Sequence, residues 1–163
     1  MEIKGKAIVL TNGVYTTKSA KTAHGLVRGS SRFDILGIID NKFYDNDAGK
    51  LLDGKHRNIP IYKSLLSFLN LNINIDYCII GVASAGGVLP EEMRSDIILS
   101  LKNNISIVNG LHSFLEDDLE ISEIAKINNT KLYDIRKPRE RDLLSFWSGK
   151  INQVKCPKIV VMG

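Results

Sequence analysis

Short apolar runs, each closed by glycine, asparagine, aspartate or serine and each followed by a segment of helical spacing, recur along this chain and narrow its fold more than any other feature. KAIVLTNG (residues 6–13), FDILGIID (33–40), DYCIIGVAS (76–84) and ISIVNGLH (105–112) are of this kind. Runs without polar alternation describe strands covered on both faces, as in the middle of a parallel sheet. Between them, residues 16–29, 62–71, 90–104 and 115–129 carry apolar side chains three and four apart and read as crossover helices. Pro90 followed by Glu91 and Glu92 marks a helix start, with proline in the first turn and carboxylates against the positive end of the helix dipole. KLYDIRKP (131–138) adds a strand, and IPIY (59–62) a short one. The βαβα order predicts an α/β fold: a doubly wound, mostly parallel, Rossmann-like sheet with helices on both faces. The polar stretch 41–58 interrupts this rhythm and reads as a long loop with at most one helical turn, either functional or mobile.

At 163 residues and 44% hydrophobic, the chain suits one domain with its own core. The net charge of +4 comes from scattered residues, which gives no footing to nucleic-acid binding. Cys78 and Cys156 stand far apart, the N-terminus has no long apolar stretch, and no window approaches the ~20 apolar residues of a membrane span. A cytoplasmic, thiol-reduced, soluble protein without membrane contact is expected. His24, His56 and His112 have no ligand spacing among themselves or with the cysteines, so no metal is expected.

In an open parallel sheet, ligands bind beyond the carboxyl ends of the strands where strand order reverses. The first exit offers Asn12 and Gly13, without the GxGxxG that lets a pyrophosphate approach the backbone. Asp40 stands where a ribose-binding carboxylate stands, or is simply a strand-end turn residue. Ser84, Gly86 and Gly87, between a strand and a helix start, form either an anion cradle of backbone N–H groups or an ordinary glycine connection. His24 lies in a crossover made basic by Lys18, Lys21 and Arg28, a pattern that a solvated helix face also explains. His112 follows a strand's carboxyl end, as an active-site residue or a cap. Arg136, Lys137 and Arg139 crowd around Pro138 and suit a phosphate or carboxylate, or salt bridges with Asp134, Glu140 and Asp142. Nothing identifies a nucleophile.

The runs AIVLTNG, SAKTAHGLVRGSSRFDILGIID, DAGKLLDGKHRNIPIY, DYCIIGVASAGGVLP, IVNGLHSFLEDD and DIRKPRERDLLSFWSGKI span nearly the whole chain. In that order they resemble the N-terminal half of a two-domain bacterial and archaeal family, long known only as a domain of unknown function, which includes D-glutamate N-acetyltransferases. The resemblance implies a Rossmann-like domain over residues 1–157. Residues 158–163 would then start the strand leading into a C-terminal P-loop-like domain, with Gly163 as the first glycine of the phosphate loop. The chain is then a fragment whose partner is its own missing domain, where ATP or another nucleotide would bind. The parent would transfer an acetyl group from acetyl-CoA to the amine of a small acidic amino acid, the isolated domain being inactive or nearly so.

IPIYKSL, DYCIIGVAS, the proline-started helix and NISIVNGLHSFLEDD are also similar to the CoA-binding domain of succinyl-CoA synthetases, which favours CoA over NAD. The leading expectation is therefore a nucleotide- or CoA-binding domain of an N-acetyltransferase, with Ser84, Gly86 and Gly87 as the cradle and His112 or His24 as base. An NAD(P)-binding oxidoreductase-type domain with Asp40 on the ribose is the first alternative. The second is a non-catalytic module that docks a neighbouring domain or a second copy in a homo-oligomer through residues 16–29 and 134–142.

Overall fold

The computed structural model describes residues 3–138, 147–157 and 159. Six strands, β1 (Gly5–Leu10), β2 (Phe33–Ile39), β3 (Ile61–Tyr62), β4 (Tyr77–Ile80), β5 (Ser106–Asn109) and β6 (Leu132–Asp134), form one sheet in the order β3-β2-β1-β4-β5-β6. Every neighbouring pair is parallel. Five helices connect them: α1 (Lys21–Arg28), α2 (Ala48–Asp53), α3 (Leu65–Leu69), α4 (Arg94–Lys102) and α5 (Leu119–Ile127). The expected doubly wound α/β architecture is therefore present, with the reversal of strand order between β1 and β4.

The period of two along β1 sorts the core into two layers. Ala7 and Val9 face a layer closed by Ala20, Ala23, Val27 and Ala48, at and around α1 and α2. Ile8 and Leu10 face the other, closed by Phe68 of α3, Ile97 and Leu101 of α4, and Ile121 of α5. Both layers are dry, which is why the strand sequences lack polar alternation. Helix starts are fixed locally. Ser64 and Ser67 exchange side-chain and backbone hydrogen bonds at α3 as a capping box. Asp118 accepts from the Ile121 amide at α5 and also takes Arg94 from α4, at 2.5 and 3.0 Å, so one carboxylate caps one helix and ties it to its neighbour.

Two local expectations are corrected. The stretch 41–58 contains α2, six residues long, because Asp47 accepts from the amides of Lys50, Arg57 and Ile59 at 2.9, 3.1 and 2.9 Å and folds the polar segment back on itself. Pro90 precedes the first turn: it is the N-cap of a 3-10 turn, Glu91–Met93, that leads into α4. Of the strand expected at residues 158–163, only Ile159 is among the described residues, and Arg139 lies outside them. No helix among the described residues is long and apolar enough to cross a membrane.

Cys78 lies in β4 with no exposed surface, and burial pushes its thiol up to about 12, whereas Cys156 is exposed. Alkylation of the native chain is therefore expected to modify Cys156 alone, and both cysteines after denaturation, as read by mass spectrometry. Modification of Cys78 in the native chain would contradict the burial of β4.

Candidate functional site

The loop after β1 is built around Asp40, the residue that follows β2. Asp40 has no exposed surface. Its Oδ2 accepts from Thr11 Oγ1 at 2.8 Å, Gly13 N at 2.9 Å and Tyr15 N at 3.1 Å. Its Oδ1 accepts from the amides of Lys42 and Phe43 at 3.0 and 3.2 Å. These five donors fill the carboxylate, so Asp40 fastens two loops together and is not presented to a ribose. Gly13 is likewise engaged, its N–H pointing inward at a φ of 85°. Tyr15, fully buried, extends the fastening by donating its hydroxyl to the Ala48 carbonyl at 2.7 Å.

With its neighbours held, Asn12 stands at a φ of 43° and crosses to the opening of α4. Its Nδ2 donates to the Glu92 carbonyl at 3.2 Å and to Asp96 Oδ2 at 3.4 Å. Beneath this bridge lies a cleft of about 490 Å³ at the β1/β4 reversal, with Val14, Ile39, Val82 and Met93 as apolar lining. Asn12, Asp96, Ser84, Lys63 and Glu92 are among the polar groups that line it. Burial raises the Asp96 carboxyl above its ordinary range, with the Asn12 amide pulling the other way.

A second chamber, about 350 Å³, adjoins the cleft and shares Val82 and Ser84 with it. Gly86, Gly87, His112, Arg136 and Lys21 surround it. The Gly87 carbonyl accepts from the amides of His112 and Ser113 at 2.9 and 3.0 Å, which joins the β4 and β5 exits. Gly87 sits at a φ of 69°, and a side chain there would run into the His112 ring, so the position needs glycine. Ser84 Oγ donates to the Val88 carbonyl. Arg136 Nε donates to the Gly110 carbonyl at 2.6 Å. The β5 exit is held in turn by Asn109, which reaches Ser113 O and Asp134 Oδ1, while Asp134 accepts from the amides of Leu115 and Glu116.

The structure thus brings Ser84, Gly86, Gly87, His112 and Arg136 together, with Asn12 at the adjoining cleft. Among the described residues it does not bring in Gly13, Asp40, His24 or Lys137. His24 Nε2 donates to the Tyr15 carbonyl at 2.5 Å and its ring meets Tyr15 edge-on, outside the lining of both cavities. Lys137 pairs with Glu116 at 2.5 Å over a separate groove beside α5. Two residues escaped sequence reasoning. Lys21 was visible only as one charge on a basic crossover. Asp96 was hidden among the carboxylates that open α4, and Glu92, four residues before it in the preceding 3-10 turn, lines the same cleft.

Residues 41–138 match the family of Rossmann-like domains of unknown function designated DUF1611_N. The chain belongs to this family. A solved DUF1611 family protein from Anabaena variabilis superposes on 94% of the chain with a TM-score of 0.78 and 25% identity, the chain spanning 42% of that protein. A D-glutamate N-acetyltransferase of Tritonibacter scottomollicae is 30% identical over 60 residues, which are 37% of this chain and 18% of that protein. Homoserine dehydrogenase of S. aureus shares the fold alone, with a TM-score of 0.50 at 11% identity over 80% of this chain and 32% of its own. The chain is thus a Rossmann-like N-terminal domain of the DUF1611 family, spanning less than half the length of the relatives it matches.

If Asp40 is a structural fastener, removing it must cost stability. Asp40→Ala leaves five donors without their acceptor and is expected to lower unfolding free energy by about 3–5 kcal/mol, and Asp40→Asn by about 2 kcal/mol, as read by urea denaturation. An unchanged midpoint for both would return Asp40 to the list of ligand residues.

Proposed function

We propose that this DUF1611_N domain binds the acyl donor of an acetyl-CoA-dependent amino-acid N-acetyltransferase, with a small acidic amino acid as acceptor and a second domain sharing the work. The carrying observation is the pair of connected cavities. A chamber ringed by Lys21, Arg136 and His112 around two glycines suits the phosphates of CoA, and the cleft that adjoins it at Ser84 leaves room for an acceptor beside the donor. The partial identity with a D-glutamate N-acetyltransferase supports the same reading.

In this reading His112 is the base. It takes one proton from the acceptor ammonium, the freed amine nitrogen attacks the thioester carbonyl, the carbon–sulfur bond breaks, and the nitrogen's second proton passes to the departing thiolate, giving the amide and CoA thiol. Cationic groups at the chamber offset the phosphate charges of the donor. A dinucleotide reading has less support, since the carboxylate that would hold a ribose is filled by five protein donors.

Calorimetric titration of the chain with acetyl-CoA, CoA, NAD and NADP tests the proposal, repeated with Gly86→Asp to put bulk and negative charge in the chamber. Micromolar binding of the CoA forms, weakened at least about tenfold by the substitution, is the expected result. Preference for NAD or NADP would favour an oxidoreductase-type domain. Absence of binding to all four would leave a scaffold that docks another domain or a second copy.

A further inference from the structure

The acyl-donor reading leaves the charges that line the cleft, Asp96, Glu92 and Lys63, unused. Asp96 is partly buried in the first turn of α4, and one of its oxygens accepts from Asn12. Among the described residues no lysine, arginine or histidine pairs with it, and no protein donor reaches its other oxygen. A carboxylate withdrawn from water without a cation is costly unless something returns the lost interaction. Asn12 cannot swing away to relieve it, because the same amide is tied to the Glu92 carbonyl and its loop is locked by Asp40. Lys63 and Ser64, which follow β3, also line the cleft, with Lys63 Nζ 5.4 Å from the centroid of the Tyr44 ring. An acid from α4 and a base from the β3 exit on one apolar cavity of about 490 Å³ match a zwitterion of amino-acid size.

We infer that this cleft is an amine site, in which Asp96 receives the ammonium of a small α-amino acid whose carboxylate turns toward Lys63 and Ser64. That the bound amine would be an acyl acceptor rests on the acyl-transfer reading, while the recognition of an ammonium does not. Asp96 belongs to the binding machinery here, whereas the chamber around Gly86 and Gly87 takes the donor. The cleft and the chamber meet at Ser84, so the two ligands would lie side by side.

The test uses nitrogen-labelled chain followed by NMR. D-glutamate, L-glutamate and D-alanine are titrated, together with 2-oxoglutarate, which keeps the carbon skeleton of glutamate and lacks the ammonium. At least one amine is expected to shift the Asn12 side-chain amide and the Asp96 backbone amide at millimolar concentration, with 2-oxoglutarate binding at least about tenfold more weakly. Asp96→Asn keeps the shape and removes the charge, and is expected to weaken the amine at least about tenfold as well. Equal binding of glutamate and 2-oxoglutarate, or no shift at Asn12 with any amine, would overturn the inference without any variant. CoA titrated into the same samples separates the two claims. CoA binding without amine binding sinks the amine site and spares the donor reading, and amine binding without CoA binding does the reverse.

Discussion

The buried carboxylate of Asp40 is the constraint on which the site depends. A carboxyl group with no exposed surface is tolerated only when its lone pairs are filled, and here the donors come from both loops that leave the sheet beside it. Three of them, Thr11 Oγ1 and the amides of Gly13 and Tyr15, bend the β1 exit toward β2. That bend turns Asn12 the other way, into the left-handed conformation that asparagine tolerates, so that its amide spans to α4. The cleft at the strand reversal exists because one carboxylate pulls the loop off it.

The same device recurs along the carboxyl edge of the sheet. Asp47 gathers three amides to shape the segment between β2 and β3, and Asp134, with Asn109, gathers the exit of β5. A parallel sheet cannot use tight hairpins, and its longer connections must satisfy their backbone groups some other way. Aspartates at strand and helix ends do this here, and the rigidity they confer is what holds Gly87 against His112 and Arg136 against Gly110.

The six strands and four of the five helices could be read from the residues because the signals are local: a dry strand is an apolar run, and a crossover helix has a stripe at three- and four-residue spacing. α2 escaped because its stability comes from Asp47 reaching amides up to twelve positions away, with only small residues, Ala48 and Gly49, buried along it. The site was legible to the same degree. Ser84, Gly86, Gly87 and His112 follow from strand ends alone, and they do meet. Asp40 and His24 depend on where the loop at 11–15 turns, which is decided by long-range hydrogen bonds that no window of sequence contains. Residues 137 and 136 are adjacent in the chain yet serve different grooves, because Glu116 captures the lysine while the Gly110 carbonyl captures the arginine.

Charge at the helix starts divides the cleft. A helix N-terminus attracts anions through its unpaired N–H groups and dipole. At α4 that field is already met by Glu91, Glu92 and Asp96, the last two at the cleft, so a phosphate there would face carboxylates. At α1 neither the 3-10 turn nor the helix has an acidic residue in its first turn, and Lys18 and Lys21 add positive charge. An anionic group entering from the carboxyl edge of the sheet is therefore steered toward Lys21 and the glycines after β4, and a cationic group toward α4. Groups of opposite sign, a phosphate and an ammonium, are thus favoured in different cavities that share Val82 and Ser84 in their walls.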